Sequence, residues 1–379
     1  MPGRYWWGLA ALSTVVLLAQ LPGPHATAWH FFELGAELLI GDGPTGDRSG
    51  LRLYGDHPEL QFGPLSILVA LPFTLLGTEA GEVAVMVASS LLGLAVVRFV
   101  LAAARGVDRP AGAGATGCEW VAGIVLVVVW GDIAVRTAHL DDAIALAAIA
   151  AALVAVRRTQ PTAAMVLLTV AAAAKPWAVV FVPLCALPLG PGTWRRPLVA
   201  AGVAVATWLP FILAEPDTLD TSAFEIVNDP ASSLRAFGID AATTPDWVRP
   251  VQLLGGLVLV ALLVVAGRWP GAVLAGISWR LLLDPGVHRY YTAGFVIGAL
   301  LVEDRIRPGR TPWFTAVAAI VLETTALPDA PLGPARVARL VVLLFALAAA
   351  TRPPSPVPAR SGRADRRLSP EAGRASVRR

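Results

Sequence analysis

Apolar residues in this chain come in runs of roughly 15 to 22 residues, about the length at which a helix crosses the hydrocarbon core of a bilayer. The runs lack the alternation of a half-buried strand, and lipid offers no partner to an unpaired backbone amide, so the pattern predicts helices rather than barrel strands. They lie at 5–21, 83–104, 119–136, 143–156, 162–174, 177–190, 196–214, 250–267, 270–283, 287–302, 312–327 and 335–350. The fold class that follows is all-α, a polytopic transmembrane helix bundle of about twelve spans. The first run ends in Pro22-Gly23-Pro24 and is a signal anchor or a signal peptide, Ala26-Thr27-Ala28 having the small-x-small form of a cleavage site. A multi-span protein keeps its first helix, and the run is taken as retained.

Arginines in the connecting loops give the bundle its sides. Arg98, Arg105 and Arg109, Arg157 and Arg158, Arg195 and Arg196, Arg268, and Arg305, Arg307 and Arg310 are expected on the cytoplasmic side with the tail 352–379. The loops between them are acidic and face outward. Alternation fails only near the N-terminus, and it is restored if segment 64–77, short and with two prolines, does not cross. Both termini are then cytoplasmic, and the first outer loop runs over 23–82 with a second large one at 215–249. Segment 29–40 is amphipathic, too short to span, and carries Glu33 and Glu37 on one face; with 64–77 it makes two juxtamembrane helices in that loop. Residues 1–351 thus form one transmembrane domain, followed by a disordered, basic, Pro- and Ser-rich tail.

Composition supports this frame and removes alternatives. Of 379 residues, 56% are apolar and 15% charged, which no soluble domain needs. The net charge of +3 sits in inner loops and the tail, where membrane anchoring explains it, so nucleic acid is not an expected partner. Cys118 and Cys185, the two cysteines, belong to no metal-binding spacing and are read as packing residues.

Ionisable residues at the outer boundary are the candidate chemistry. Lys175 interrupts a stretch from Ala163 to Leu189 with no other charge, and an ammonium there is costly unless it faces an anion or water. The bland alternative is a lysine snorkelling at a helical hairpin beside Pro176. His139, Asp141 and Asp142 open an alanine-rich run; one N-cap accounts for one carboxylate and leaves the others to explain. His288 and Arg289 form a second cationic group, with Tyr290 and Tyr291 beside them as rings able to stack on a sugar or simply to anchor at the interface. In the first loop, Asp56 and His57 precede a proline near the lipid surface, and Glu59 follows; Asp42 and Asp47 lie in a Gly/Asp turn cluster that favours a turn role.

Several segments resemble those of the GT-C glycosyltransferases, multi-span membrane enzymes, and among them the polyprenyl-phosphate-dependent mannosyltransferases of actinobacteria. Gly35 to Gly41 (GAELLIG) resembles the family's G/A-x-x-LL-x-G helix, and Tyr54 to Leu65 (YGDHPELQFGPL) its aromatic-x-x-P-P-L segment. Ala138 to Asp142 (AHLDD) stands at the place of its G-Q/H-x-N/D motif, and Ala171 to Pro183 (AAAAKPWAVVFVP) resembles its alanine-rich lysine-proline motif. The likeness covers roughly the first half of the chain. One position departs from it: the family carries an aspartate just after the first span, where this chain has Thr27 and Ala28.

The resemblance implies a hexosyltransferase that moves a sugar, mannose by likeness, from a polyprenyl-phosphate donor to a glycolipid, polysaccharide or other lipid or glycan acceptor on the outer face of a bacterial plasma membrane. Such a transfer needs a base for the acceptor hydroxyl and cations for the departing phosphate. Asp56, His57, Asp141 and Asp142 are the expected catalytic groups. Lys175, His288 and Arg289 are expected to bind the donor phosphate, and Glu33, His139, Tyr290 and Tyr291 the substrates. No cofactor is called for; two carboxylates and a histidine are chemically able to hold a divalent cation, but no spacing of further ligands indicates one. A transporter is the rival class, and an inverted repeat or mid-span charges would mark it; the charges lie instead at one boundary. A non-catalytic member of the same fold is the third reading.

Overall fold

In a computed structural model, the chain is described over residues 3–41, 49–104 and 115–352. Asp42, Asp47, Arg105, Arg109 and the tail from 353 lie outside the described residues.

Helices dominate throughout, and no strand occurs among the described residues beyond an isolated bridge between Val227 and Thr243. The chain opens with α1 (Gly3–Gln20) and α2 (Trp29–Ile40), then a short α3 (Leu53–Asp56), α4 (Pro64–Thr74) and the long α5 (Thr78–Ala104). Next come α6 (Gly117–Gly131), which ends in a π-helical turn over Asp132–Arg136, then α7 (Leu140–Arg157) and α8 (Pro161–Ala174). A 3-10 run over Pro176–Ala186 leads to α9 (Arg195–Ala206) and α10 (Leu209–Ala214). After the outer segment with α11 (Ser233–Ala236), the chain closes with α12 (Val248–Val265), α13 (Ala272–Leu282), α14 (Tyr291–Ile306), α15 (Trp313–Thr325) and α16 (Leu332–Ala350).

Among the described residues, four helices have the length and apolar content to cross a membrane: Thr78–Ala104, Gly117–Arg136 with its π turn, Val248–Val265 and Leu332–Ala350. Of the other expected spans, α1 and α7 reach 18 residues but are more polar, α7 carrying Asp141, Asp142 and Arg157, and several of the rest are shorter or broken. The 162–174 and 312–327 runs form helices of 14 and 13 residues, rising about 20 Å against a hydrocarbon core of about 30 Å. The 196–214 run is two helices separated at Thr207-Trp208, just before Pro210, and the 177–190 run is 3-10 rather than α because Pro176 and Pro183 remove amide donors. α4 has 11 residues, short of a span and in keeping with a juxtamembrane element.

Small residues let the central helices approach closely. α7 buries alanine on every side, from Ala143 round to Ala155, and packs between α5 and α8. The end of the bundle expected to be cytoplasmic is tied together: Arg268 donates to the Thr351 carbonyl at 2.6 Å and Arg305 to that of Arg352 at 2.9 Å. At the other end, the amides of Ala26, Thr27 and Ala28 donate to the carbonyls of Val135, Arg136 and Thr137 at 2.8, 3.1 and 2.8 Å. This pairing lays the start of the first outer loop beside the entry to α7.

Candidate functional site

Two local features of sequence bring the central charges together. The first is the turn into α7. After the π turn, Ala138 takes a left-handed φ of 48°, a conformation an alanine adopts only under constraint, and it reverses the chain so that His139 caps α7 and Asp141 and Asp142 fill its first turn. The partial positive charge of the helix end favours both carboxylates there. The second is Pro176, which has no amide to continue α8 and pushes Lys175 into an extended conformation. The lysine side chain thereby turns toward the start of α7.

These four residues form one interlocked group. Lys175 Nζ donates to Asp141 Oδ2 and lies 3.4 Å from Asp142 Oδ2. His139 Nδ1 is 2.6 Å from Asp141 Oδ1 and 3.2 Å from Asp142 Oδ2, and the Asp142 amide donates to Asp141 Oδ1 at 2.7 Å. Trp177 Nε1 adds a bond of 3.3 Å to Asp142 Oδ1. Burial works against the charge on Lys175, but Asp141 and Asp142 outweigh it and hold its pKa above the ordinary lysine range.

In front of this group lies a cavity of about 870 Å³. His139, Lys175 and Trp177 line it with Arg280, Asp284, His288, Tyr290 and Tyr291, joined by Glu59 and Gln61 from the segment between α3 and α4 and by Arg249 from the start of α12. Apolar walls come from Phe31, Val180, Val205, Ile212, Leu219 and Leu253. Arg280 is held with care: its guanidinium carbon sits 4.5 Å from the Trp177 ring centre and 4.5 Å from that of Tyr291, and its Nε is 3.5 Å from Asp284 Oδ2. The rings of His139, Tyr290 and His288 follow one another, at 4.4 and 5.2 Å between centres, and Phe32 meets His139 edge-on at 6.2 Å. Burial pushes the His288 pKa down.

Of the residues expected from sequence, His139, Lys175, His288, Tyr290 and Tyr291 line the cavity, and Asp141 and Asp142 are buried behind Lys175. Four others stand apart. Asp56 is exposed and pairs with Arg52 at 3.4 Å, and Glu33 is half-buried on α2 outside the lining. His57 is also outside, but its Nδ1 lies 3.1 Å from Glu59, the loop carboxylate that does reach the cavity. Arg289 binds no cavity face either: its Nε donates to Glu323 at 2.7 Å and its terminal nitrogen lies 3.2 Å from Asp132, so its charge is spent inside the bundle. Its part is to anchor the segment that carries His288 and Tyr290.

Arg280, Asp284, Trp177 and Arg249 were not foreseen. For Arg280 a signal existed, because it breaks the apolar run 270–283 four residues before Asp284, the spacing of an ion pair along a helix.

No protein-family model, no curated protein and no solved structure matches the chain.

Proposed function

We propose that the protein is a membrane glycosyltransferase of GT-C type that takes a sugar, mannose by resemblance, from a polyprenyl-phosphate donor and passes it to a lipid or glycan acceptor outside the plasma membrane. One observation supports this reading above the others: a single cavity is lined both by a group of cations and rings and by apolar side chains, a combination suited to a lipid phosphate that bears a sugar. Lys175 and Arg280 bind the phosphate, and His139, Tyr290 and His288 offer stacked rings to the sugar.

In the transfer, the acceptor hydroxyl oxygen bonds to the anomeric carbon as the bond from that carbon to the phosphate oxygen breaks. Glu59, steadied by His57, takes the hydroxyl proton, and the lipid phosphate leaves with the electron pair beside Arg280 and Lys175. The twelve-span topology with both ends cytoplasmic belongs to the same proposal. It is supported by the segments sharing the cavity, most of them drawn from or next to loops expected outside, and by the arginines tied together elsewhere in the bundle.

A second reading has its own support. Thr27 and Ala28, where the resembled family has an aspartate, offer no carboxylate to act as a base, which favours a lipid-phosphate binder without transferase activity. Membranes containing the full chain and a labelled polyprenyl-phosphate hexose separate the two. The enzyme transfers label, Glu59→Gln abolishes transfer while binding persists, and Arg280→Ala loses both. A wild-type protein that binds the lipid and transfers nothing to lipid, glycan or water is the binder.

A further inference from the structure

The buried charges behind the cavity have the form of a metal site. Nδ1 of His139 and one carboxylate oxygen each of Asp141 and Asp142 lie within 4.8 Å of one another, and both aspartates are almost fully inaccessible. A nitrogen and two oxygens at such separations suit manganese or zinc. Asp142 Oδ2, buried and pointing into the cage, has no hydrogen bond of its own, which is costly for a carboxylate oxygen. A cation is nevertheless present. The Lys175 ammonium bonds Asp141 Oδ2 and stands 3.4 Å from that same Asp142 oxygen, with the lysine side chain only 13% exposed.

We infer that His139, Asp141 and Asp142 form a cation seat filled from within the chain by the Lys175 ammonium, and that emptying the seat of its lysine converts it into a divalent-metal site. The charge count supports this. Two carboxylates and one ammonium leave one negative charge; a divalent ion added beside the ammonium would face a like charge at contact distance, whereas a divalent ion replacing it would balance the carboxylates. Lys175 thus does what a bound metal does at many phosphate-handling sites, and it is fixed by covalent attachment rather than by supply. The inference stands on the cage itself and holds whether or not the protein transfers sugar.

Full-length protein in detergent, titrated with Mn²⁺ and followed by the paramagnetic signal of the free ion, tests it. Wild type is expected to take up no Mn²⁺ that depends on the cage, while Lys175→Ala binds one ion per chain. Adding Asp142→Asn to that variant should weaken the binding at least about tenfold, as loss of a metal partner does. Lys175→Gln serves as a second variant, and its melting temperature should rise with Mn²⁺ whereas that of wild type does not. Farnesyl phosphate binding, reduced in Lys175→Ala, should recover in part when the ion is added. Three results overturn the inference: wild type binds Mn²⁺ and loses it on Asp142→Asn; folded Lys175→Ala binds none; or neither lysine variant folds even with the metal present.

Discussion

The amide of Gly63 donates to the carbonyl of Ala174 at 2.8 Å, and the Ser66 hydroxyl donates to the same carbonyl at 2.9 Å. The first outer loop is thereby fastened to the residue immediately before Lys175. A β-carbon at position 63 would be driven into the Ala173 carbonyl, which is backbone and has no room to yield. Gly63→Ala is expected to destabilise the protein by roughly 1 to 3 kcal/mol, as overpacking does, and to weaken farnesyl phosphate binding by displacing Lys175. Ser66→Ala keeps the backbone bond and should cost about 1 kcal/mol. Thermal melts in detergent, with binding measured alongside, check both.

Arg280 should not tolerate a lysine. An ammonium lacks the planar face that lies between Trp177 and Tyr291 and the fork that grips two phosphate oxygens. Arg280→Lys is expected to reduce affinity for farnesyl phosphate by about tenfold, equivalent to about 1.4 kcal/mol, with little change in melting temperature. Equal affinity in the two proteins would remove Arg280 from the phosphate site.

Arg289 answers to a different test, since it holds the fold rather than the ligand. Arg289→Met leaves the carboxylates of Asp132 and Glu323 facing each other without their shared cation. The loss should be about 3 kcal/mol, the low end for a broken buried pair because the arginine is 28% exposed. Combining it with Asp132→Asn and Glu323→Gln should restore part of that stability. Chemical denaturation of the single and triple variants reads the difference, and additive losses would show that the three residues do not act together.

Lys175 also fixes an expected pH profile. Its pKa in the folded protein lies above the ordinary lysine value of 10.5, so the folded state holds the proton more tightly than the unfolded chain. The stabilisation is complete below the unfolded pKa and disappears only as pH rises through the higher folded value. Melting temperature and farnesyl phosphate binding should therefore show no lysine titration between pH 7 and about 10. A fall centred near pH 9 that disappears in Lys175→Ala would contradict the ion pair.

The central group was legible because charge is expensive in an apolar run, and Lys175, His139, Asp141 and Asp142 had nothing else nearby to explain them. Their convergence was not, since it depends on Lys175 leaving α8 in an extended conformation before Pro176 and meeting the start of α7 across the bundle. Arg289 shows where such reasoning stops. Next to His288 and two tyrosines it looks like a ligand residue, and only packing reveals that Asp132 and Glu323, remote in sequence, claim its charge. Arg280 carried the same signal, a charge in an apolar run four residues before Asp284, but only packing shows that it meets Trp177, Tyr291 and the cavity. Helix lengths were overread where proline intervenes: an apolar count across 177–190 or 196–214 cannot register the loss of amide donors that turns one span into a 3-10 run and another into two pieces.

The presence of both cations and apolar side chains in the cavity lining has a consequence for how the proposed lipid phosphate would compete with soluble anions. On the proposed function a soluble phosphate would meet the same Lys175 and Arg280 as a lipid one, but Val180, Val205, Ile212 and Leu253 would contribute nothing to its binding. Each methylene buried against such walls is worth about 0.8 kcal/mol, so a few carbons of tail outweigh a large excess of free anion. On the proposed function the walls would act as a filter on origin, favouring phosphates that arrive from the membrane over those dissolved around it.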